Sequence, residues 1–184
     1  MDSAMLLAAP ETQLLVIDIQ ARLLPVMLDG ARVMRQAGIL LQAARRLAIP
    51  ALITEQYPQG LGPTMPEVMA EAGDVPVLAK MHFSAASDPA IRSRIEAANR
   101  PQIVIAGIEA HVCVLQTALT LREAGRQVAV VVDAVSSRHA DSVSVALQRL
   151  QAAGAELVTT EMCLFEWLGS AAHPDFKSLS RLIK

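Results

Sequence analysis

Three residues with complementary chemistry follow short apolar segments of this sequence. Asp18 and Lys80 each end such a segment, and Cys113 comes soon after a third one, beyond Gly107. A thiolate is a strong nucleophile, a nearby carboxylate can take the thiol proton, and an ammonium group can stabilise the resulting anion. These side chains would form a centre for nucleophilic catalysis if the fold brings them together.

The surrounding pattern predicts a fold that does so. Short apolar segments alternate with helical ones, which is typical of βαβ units and a mostly parallel sheet. We therefore expect an α/β fold, namely a three-layer αβα sandwich with a six-stranded, mostly parallel, Rossmann-like sheet. The predicted strands are Gln13–Asp18, Ala51–Thr54, Val77–Lys80, Gln102–Ala106, Gln127–Val132 and Glu156–Thr159.

Helices are predicted between and after these strands from apolar spacing, caps and glycine stops. The predicted helices are Gly30–Leu47, Ser87–Asn99, His111–Ala124, Asp141–Ala153 and Glu161–Leu168. The remaining long segment, Glu55–Pro76, is rich in proline and glycine and is predicted to be irregular.

In an open parallel sheet the active site lies beyond the carboxyl ends of the strands, so the three residues would meet at one edge. Cys113 would lie near the first turn of a helix, where unpaired N–H groups and the helix dipole favour a thiolate. Gly107 permits a tight turn whose N–H groups could stabilise an oxyanion.

Each residue also has an ordinary structural explanation. A single cysteine, such as Cys113 or Cys163, is usually a small buried apolar side chain. An aspartate at a strand end is often a loop or cap residue, and a lysine there is often a solvated charge. Spacing alone does not decide between these explanations and a catalytic centre.

Composition restricts the classes of partner. The 184 residues are 53% hydrophobic and carry a net charge of −2. We expect a single domain over residues 1–184, with neither a nucleic acid nor a membrane as partner, because there is no basic stripe and no apolar run near about 20 residues. The high apolar content suggests a homo-oligomer.

The cellular compartment is inferred from the cysteines and the N-terminus. The chain has only Cys113 and Cys163, and Met1–Pro10 lacks the basic start of a signal peptide. We therefore expect free thiols in the cytoplasm. Neither G-x-G-x-x-G after the first strand nor G-x-x-x-x-G-K-[ST] anywhere is present, so no nucleotide or other cofactor is expected.

Four longer stretches make the sequence similar to a known family. They are LLVIDIQ (Leu14–Gln20), LAKMHFSA (Leu78–Ala85), VIAGIEAHVCVLQTAL (Val104–Leu119) and VVVDAVSSR (Val130–Arg138). The chain resembles the isochorismatase-like cysteine hydrolases, a superfamily that includes nicotinamidases and N-carbamoylsarcosine amidases. Thr54–Thr64 and Ala153–Gly169 resemble a subgroup of largely unassigned substrate, the isochorismatase domain-containing proteins.

The resemblance implies roles for individual residues. Asp18 would be the general base, Lys80 the residue that holds base and thiolate in place, and Cys113 the nucleophile. It also implies a cis peptide bond between Ile108 and Glu109, and an oxyanion site formed by the backbone N–H groups of Glu109 and Cys113.

One departure from the family concerns metal. Nicotinamidases carry an Asp-x-His pair and a further histidine, whereas the corresponding loop here begins Thr54-Glu55-Gln56-Tyr57. The four histidines are scattered along the chain, so no metal site is expected. Because the chain keeps its thiol, unlike isochorismatase itself, we expect hydrolysis of a C–N or acyl-type bond.

Further residues are predicted to line the mouth of the site and contact a small-molecule substrate. Gln56, Tyr57 and His111 could offer polar contacts and Phe83 could form a wall; Gln20 would lie beside them. His111 is expected to point away from the sulfur, since it precedes Cys113 by only two residues.

The predicted function is a cysteine-dependent hydrolase of an amide, carbamoyl or related C–N bond, acting through a thioester-type intermediate. Two alternatives stay open. One is a non-catalytic interaction protein on the same fold. The other is a redox-sensing thiol, for which Cys163 would have to act as the resolving cysteine.

Overall fold

In a computed structural model, residues 6–184 form one six-stranded sheet with helices on both faces. The first half of the segment Met1–Pro10 lies outside these described residues. The strand order is β3-β2-β1-β4-β5-β6 and every pair is parallel. The strands are β1 (Thr12–Ile17), β2 (Ala51–Gln56), β3 (Val77–Lys80), β4 (Gln102–Ile108), β5 (Gln127–Ser136) and β6 (Glu156–Val158).

The helices cover the sheet in two layers. They are α1 (Gly30–Arg46), α2 (Pro58–Leu61), α3 (Pro66–Ala72), α4 (Pro89–Ala98), α5 (Leu115–Glu123), α6 (Ala140–Ala152), α7 (Thr160–Leu168) and α8 (Phe176–Leu179). A π-helical turn, Ala110–Val114, precedes α5, and three short 3₁₀ turns cover Ala9–Glu11, Leu24–Val26 and Ala85–Ser87.

Successive apolar side chains of the central strands point to opposite faces of the sheet and so contribute to two apolar cores. In β1, Leu14 and Val16 belong to a core shared with α1, α3 and α7, while Leu15 and Ile17 belong to a core shared with α4, α5 and α6. Successive side chains of a strand point to opposite faces, so a strand covered on both faces must be apolar throughout. This confirms the predicted three-layer α/β sandwich.

Some segments differ from the sequence-based expectation. The helix predicted from His111 starts as the π-helical turn, and α5 begins only at Leu115. The strand β5 continues to Ser136 instead of ending at Val132, with a register shift opposite β4 between Ile105 and Gly107. The segment predicted to be irregular contains α2 and α3, each of which begins at a proline. Proline suits the first position of a helix because its fixed φ is already helical and the missing N–H would be unpaired there.

The length and the hydropathy of each helix bear on whether it could cross a membrane. Within residues 6–184, each helix is too short or too polar to cross a membrane.

The end of β4 approaches β1 more closely than a side chain would allow. Gly107 has a φ of +120°, and a Cβ added to it would lie 2.0 Å from the carbonyl oxygen of Ile17. This close approach sets the loop that leads to Cys113 directly beside the end of β1, which is followed by Asp18.

A substitution at Gly107 tests this constraint. We expect Gly107→Ala to cost at least about 4 kcal/mol of unfolding free energy or to prevent folding, because the methyl group would overlap backbone. Gly125→Ala is the matched control, since Gly125 also has a positive φ, +80°, but no atom within 4 Å of the added Cβ. It should cost only about 1–2 kcal/mol. Equal costs in chemical denaturation would contradict the close approach.

Candidate active site

A buried ion pair joins the ends of two strands. The Lys80 Nζ atom, at the end of β3, lies 2.7 Å from Asp18 Oδ2, just beyond the end of β1, and both side chains are fully buried. Asp18 has a φ of +54°, a conformation that aspartate tolerates better than most residues. Its backbone N–H donates to the Thr54 carbonyl, which ties this turn to β2.

Neighbouring polar groups complete the hydrogen bonding of the pair. The Thr54 hydroxyl donates to Asp18 Oδ1 at 2.7 Å. Besides Asp18, Lys80 Nζ donates to Gln56 Oε1 at 2.7 Å and to the Phe83 carbonyl at 3.3 Å. Three oxygen acceptors match the three hydrogens of an ammonium group, so Lys80 is held in place as a cation.

Cys113 lies in the π-helical turn against this pair. Its side chain is buried, and both Asp18 and Lys80 act on the thiol through charge and hydrogen bonding. Burial raises the pKa of Cys113 from 9.0 to about 12; the negative charge of Asp18 contributes to the rise, and Lys80 opposes it. Burial and the Asp18 charge therefore favour the neutral thiol, whereas the position near a helix start was expected to favour a thiolate.

The net charge of the buried side chains of Asp18, Lys80 and Cys113 determines where the thiol proton could go at low cost. With Asp18 ionised, Lys80 protonated and Cys113 neutral, the buried group has no net charge. Loss of the thiol proton to water would leave a buried net charge of −1, which is costly away from solvent. Transfer of the same proton to Asp18 keeps the net charge at zero, so the geometry favours activation by internal proton transfer.

The loop between β4 and the π-helical turn is held by hydrogen bonds to Glu109. The Ile108–Glu109 peptide bond is cis, at the position where the family resemblance implies one. The N–H groups of Val112 and Val114 both donate to the Glu109 carbonyl. The Glu109 carboxylate accepts from Arg138 Nε at 3.1 Å, which ties the loop to the end of β5.

Gln20 and Gln56, which were predicted to contact a substrate, are buried and their side-chain amides are bonded to protein groups. Gln20 is fully buried; its Oε1 accepts from the Gln56 N–H, and its Nε2 donates to the Gln56 and Gly62 carbonyls. Gln56 is 8% exposed, and both ends of its side-chain amide are occupied, by Lys80 and by the Met81 carbonyl. Both glutamines support the site from within the protein.

Tyr57 and Phe83 are exposed beside the buried lysine. The Tyr57 N–H donates to the Lys80 carbonyl, and the Phe83 carbonyl accepts from Lys80 Nζ, while 47% and 54% of the two residues remain exposed. Met81, which directly follows Lys80, is 67% exposed and was not predicted from the sequence to be near the site.

His111 is directed to a different neighbour. Its Nδ1 lies 2.9 Å from the Ser137 hydroxyl, and its ring lines a shallow groove along α6 with Leu115 and Val145. The ring is thus held by Ser137 rather than by a residue of the charge pair.

Thr54 is the residue of the site that sequence reasoning missed. It lies two residues before Gln56 on β2, so the two side chains point to the same face. The available signal was the polar run Thr54-Glu55-Gln56, which ends the apolar strand next to the one that leads into Asp18.

Among residues 6–184, no group of three or more histidine, cysteine, aspartate or glutamate side chains is arranged to hold a metal ion.

Comparison with known proteins identifies the family. Residues 12–162 match the Isochorismatase domain. The human isochorismatase domain-containing protein 2 is 45% identical over 151 residues, covering 80% of this chain and 71% of that protein. The Danio rerio protein of the same name is 40% identical over 171 residues, covering 92% and 85%.

Solved structures have the same fold. A structure described as the MAR1 ribonuclease of Caenorhabditis elegans superposes with a TM-score of 0.91 at 36% identity, covering 96% of this chain and 91% of that one. The YcaC gene product of Escherichia coli, described as an octameric hydrolase of unknown specificity, has a TM-score of 0.85 at 27% identity, covering 98% and 97%. On the extent of the domain match and the identity to these relatives, the chain belongs to the isochorismatase family.

Proposed function

We propose that this protein is a cysteine-dependent hydrolase of a small molecule, cleaving an amide, carbamoyl or related C–N bond with Cys113, Asp18 and Lys80. The observation that carries the proposal is the position of the buried Cys113 thiol against a buried, fully hydrogen-bonded carboxylate–ammonium pair. Family membership supports hydrolase chemistry in general.

The first half of the reaction forms a thioester. Asp18 takes the thiol proton as the Cys113 sulfur attacks the carbonyl carbon, and the carbonyl electrons move to oxygen. The backbone N–H groups of Glu109 and Cys113 are the proposed donors to this oxyanion. When the tetrahedral intermediate collapses, the C–N bond breaks and protonated Asp18 gives its proton to the leaving nitrogen.

The second half releases the acyl group. Asp18, again ionised, takes a proton from water as the water oxygen attacks the thioester carbon. The C–S bond then breaks, the sulfur recovers a proton from Asp18, and the acid product leaves. Throughout both halves Lys80 stays protonated and offsets one negative charge.

The proposal extends to assembly and cellular location. We propose that residues 1–184 act as one domain in the cytoplasm, as a homo-oligomer without cofactor or metal. The octameric state in the description of the Escherichia coli relative supports oligomerisation.

Three other functions are less well supported. Hydrolysis of RNA is suggested by the descriptions of the Caenorhabditis elegans relative and of two Leishmania structures, but a net charge of −2 gives no general attraction for phosphates. Redox sensing needs Cys163 near Cys113, but the two belong to apolar cores on opposite faces of the sheet. A non-catalytic interaction protein on the same fold would not need a buried charge pair against a thiol.

Loss of the nucleophile tests the proposed function. We expect Cys113→Ala to abolish turnover of whichever amide, ureide or carbamoyl compound a screen of the wild type identifies. Wild-type protein quenched during turnover should carry an acyl mass on the peptide that contains Cys113. Cys163→Ala is the matched control and should keep its turnover. Undiminished turnover in Cys113→Ala, or cleavage of an RNA oligonucleotide that depends on Cys113, would contradict the proposal.

The charge arrangement makes a separate prediction about thiol reactivity. Asp18→Asn removes the charge that raises the pKa of Cys113 and leaves Lys80, which lowers it, so the pKa should fall. At fixed pH below that pKa, the thiolate fraction should rise about tenfold for each unit by which the pKa falls, so alkylation by iodoacetamide should become faster, although by less than tenfold per unit because a less basic thiolate is a weaker nucleophile. Turnover should nevertheless decrease by about 10²–10⁴-fold, because the base is lost.

The control for this prediction is the opposite substitution. Lys80→Met removes the cation that lowers the pKa of Cys113, so alkylation should become slower. Rates would be measured by mass spectrometry in a Cys163→Ala background. Alkylation that is no faster in Asp18→Asn than in the wild type would show that Asp18 does not control the thiol.

A further inference from the structure

The side chain of Gln56 links the buried charge pair to the exposed segment that follows β3. Gln56 lies at the end of β2, opposite Lys80 in the register of the parallel pair. Its Oε1 accepts from Lys80 Nζ at 2.7 Å, and its Nε2 donates to the Met81 carbonyl at 2.9 Å. The amide therefore bridges the ammonium and the Met81 carbonyl.

The orientation of this amide is determined by its partners. The Met81 carbonyl can only accept a hydrogen bond, and the Lys80 ammonium can only donate. The nitrogen must therefore face Met81 and the oxygen must face Lys80. The Gln56 backbone is held as well, since its N–H and carbonyl both bond to the Gln20 side chain at 2.7 and 2.9 Å.

We propose that Gln56 is a positioning residue that holds the Lys80 ammonium between Asp18 and Cys113. The role of Gln56 in catalysis rests on the proposed function. Its effect on the Lys80 ammonium and the Cys113 thiol does not require a substrate. Without the Gln56 oxygen, one hydrogen of the buried ammonium loses its acceptor, and Lys80 can relax toward other oxygens. The cation then stabilises the sulfur anion less.

The same link connects the exposed segment to the charge pair. The Met81 carbonyl accepts from Gln56, and the Phe83 carbonyl accepts from Lys80, whereas the side chains of both residues are exposed. Gln56 and Lys80 together hold the backbone of Met81–Phe83 at the end of β3, and its exposed side chains are left to meet a substrate.

Gln56→Leu is the test substitution, because leucine is of similar size and makes no hydrogen bond. A matched control is Gln13→Leu. Gln13 is also a buried glutamine on a central strand, 6% exposed, and its Nε2 donates to the carbonyls of Ile95 and Arg100 at 3.2 Å. It lies near the start of β1, at the opposite end of the sheet from the site.

The primary readout is the rate at which iodoacetamide alkylates Cys113, which requires no substrate. We expect Gln56→Leu to slow this reaction by about tenfold or more, the effect of losing a hydrogen bond to a charged group. Gln13→Leu should lower the melting temperature about as much as Gln56→Leu does. It should nevertheless leave the alkylation rate of Cys113 within about twofold of wild type. Equal alkylation rates in the two variants, measured below both melting temperatures, would overturn the proposal.

A double-mutant cycle tests whether Gln56 acts through Lys80. In a Lys80→Met background, Gln56→Leu should slow alkylation no further, whereas independent effects would multiply and would contradict the proposal. If the double variant does not fold, the alkylation rates of Gln56→Leu and Gln13→Leu still test whether Gln56 acts on Cys113.

Turnover gives the catalytic readout. On a confirmed substrate, Gln56→Leu should lower kcat by about tenfold or more with KM within about threefold, and Gln13→Leu should change neither. Turnover that survives in Cys113→Ala would overturn the proposed function, while the alkylation rates would still judge the role of Gln56 separately.

Discussion

The requirement that a buried cluster of ionisable groups stays neutral organises this protein. Asp18 and Lys80 have no contact with solvent, and burying two charges is tolerable only when they are paired and their remaining hydrogen bonds are made. Thr54 and Gln56 make those bonds from the neighbouring strand. Within this cluster the Cys113 thiol cannot lose its proton to water at low cost, but it can pass the proton to Asp18 without changing the net charge.

The topology of the sheet provides the place for this cluster. The chain builds β2 and β3 on one side of β1 and then crosses to build β4, β5 and β6 on the other. Asp18 follows β1 and Cys113 follows β4, so they meet where the strand order reverses, which is the usual position of a site in an open α/β sheet. The absence of a side chain at Gly107 allows the two strand ends to approach.

The sequence predicted the strands and the layers well, because apolar runs that end in polar residues mark strand ends directly. For the same reason it pointed to Asp18, Lys80 and Cys113, which the fold brings together. It was wrong about the end of β5, since an acidic residue, Asp133, interrupts the apolar run although the strand continues. The short helices α2 and α3 escaped prediction because four and seven residues carry too little periodicity. The roles of Gln20 and Gln56 depend on partners up to 42 positions away, and the depth of Cys113 sets its pKa; neither can be read from spacing.

The central claim, that Cys113 is a neutral thiol beside an ionised Asp18, is tested most directly by the ultraviolet absorbance of the thiolate. The difference in absorbance between the wild type and Cys113→Ala would be followed from roughly pH 6 to pH 10, the range around the ordinary pKa of cysteine. The predicted result is no thiolate signal from Cys113 at neutral pH and no midpoint within this range, because burial and Asp18 raise its pKa to about 12. A thiolate already formed at neutral pH would contradict the account.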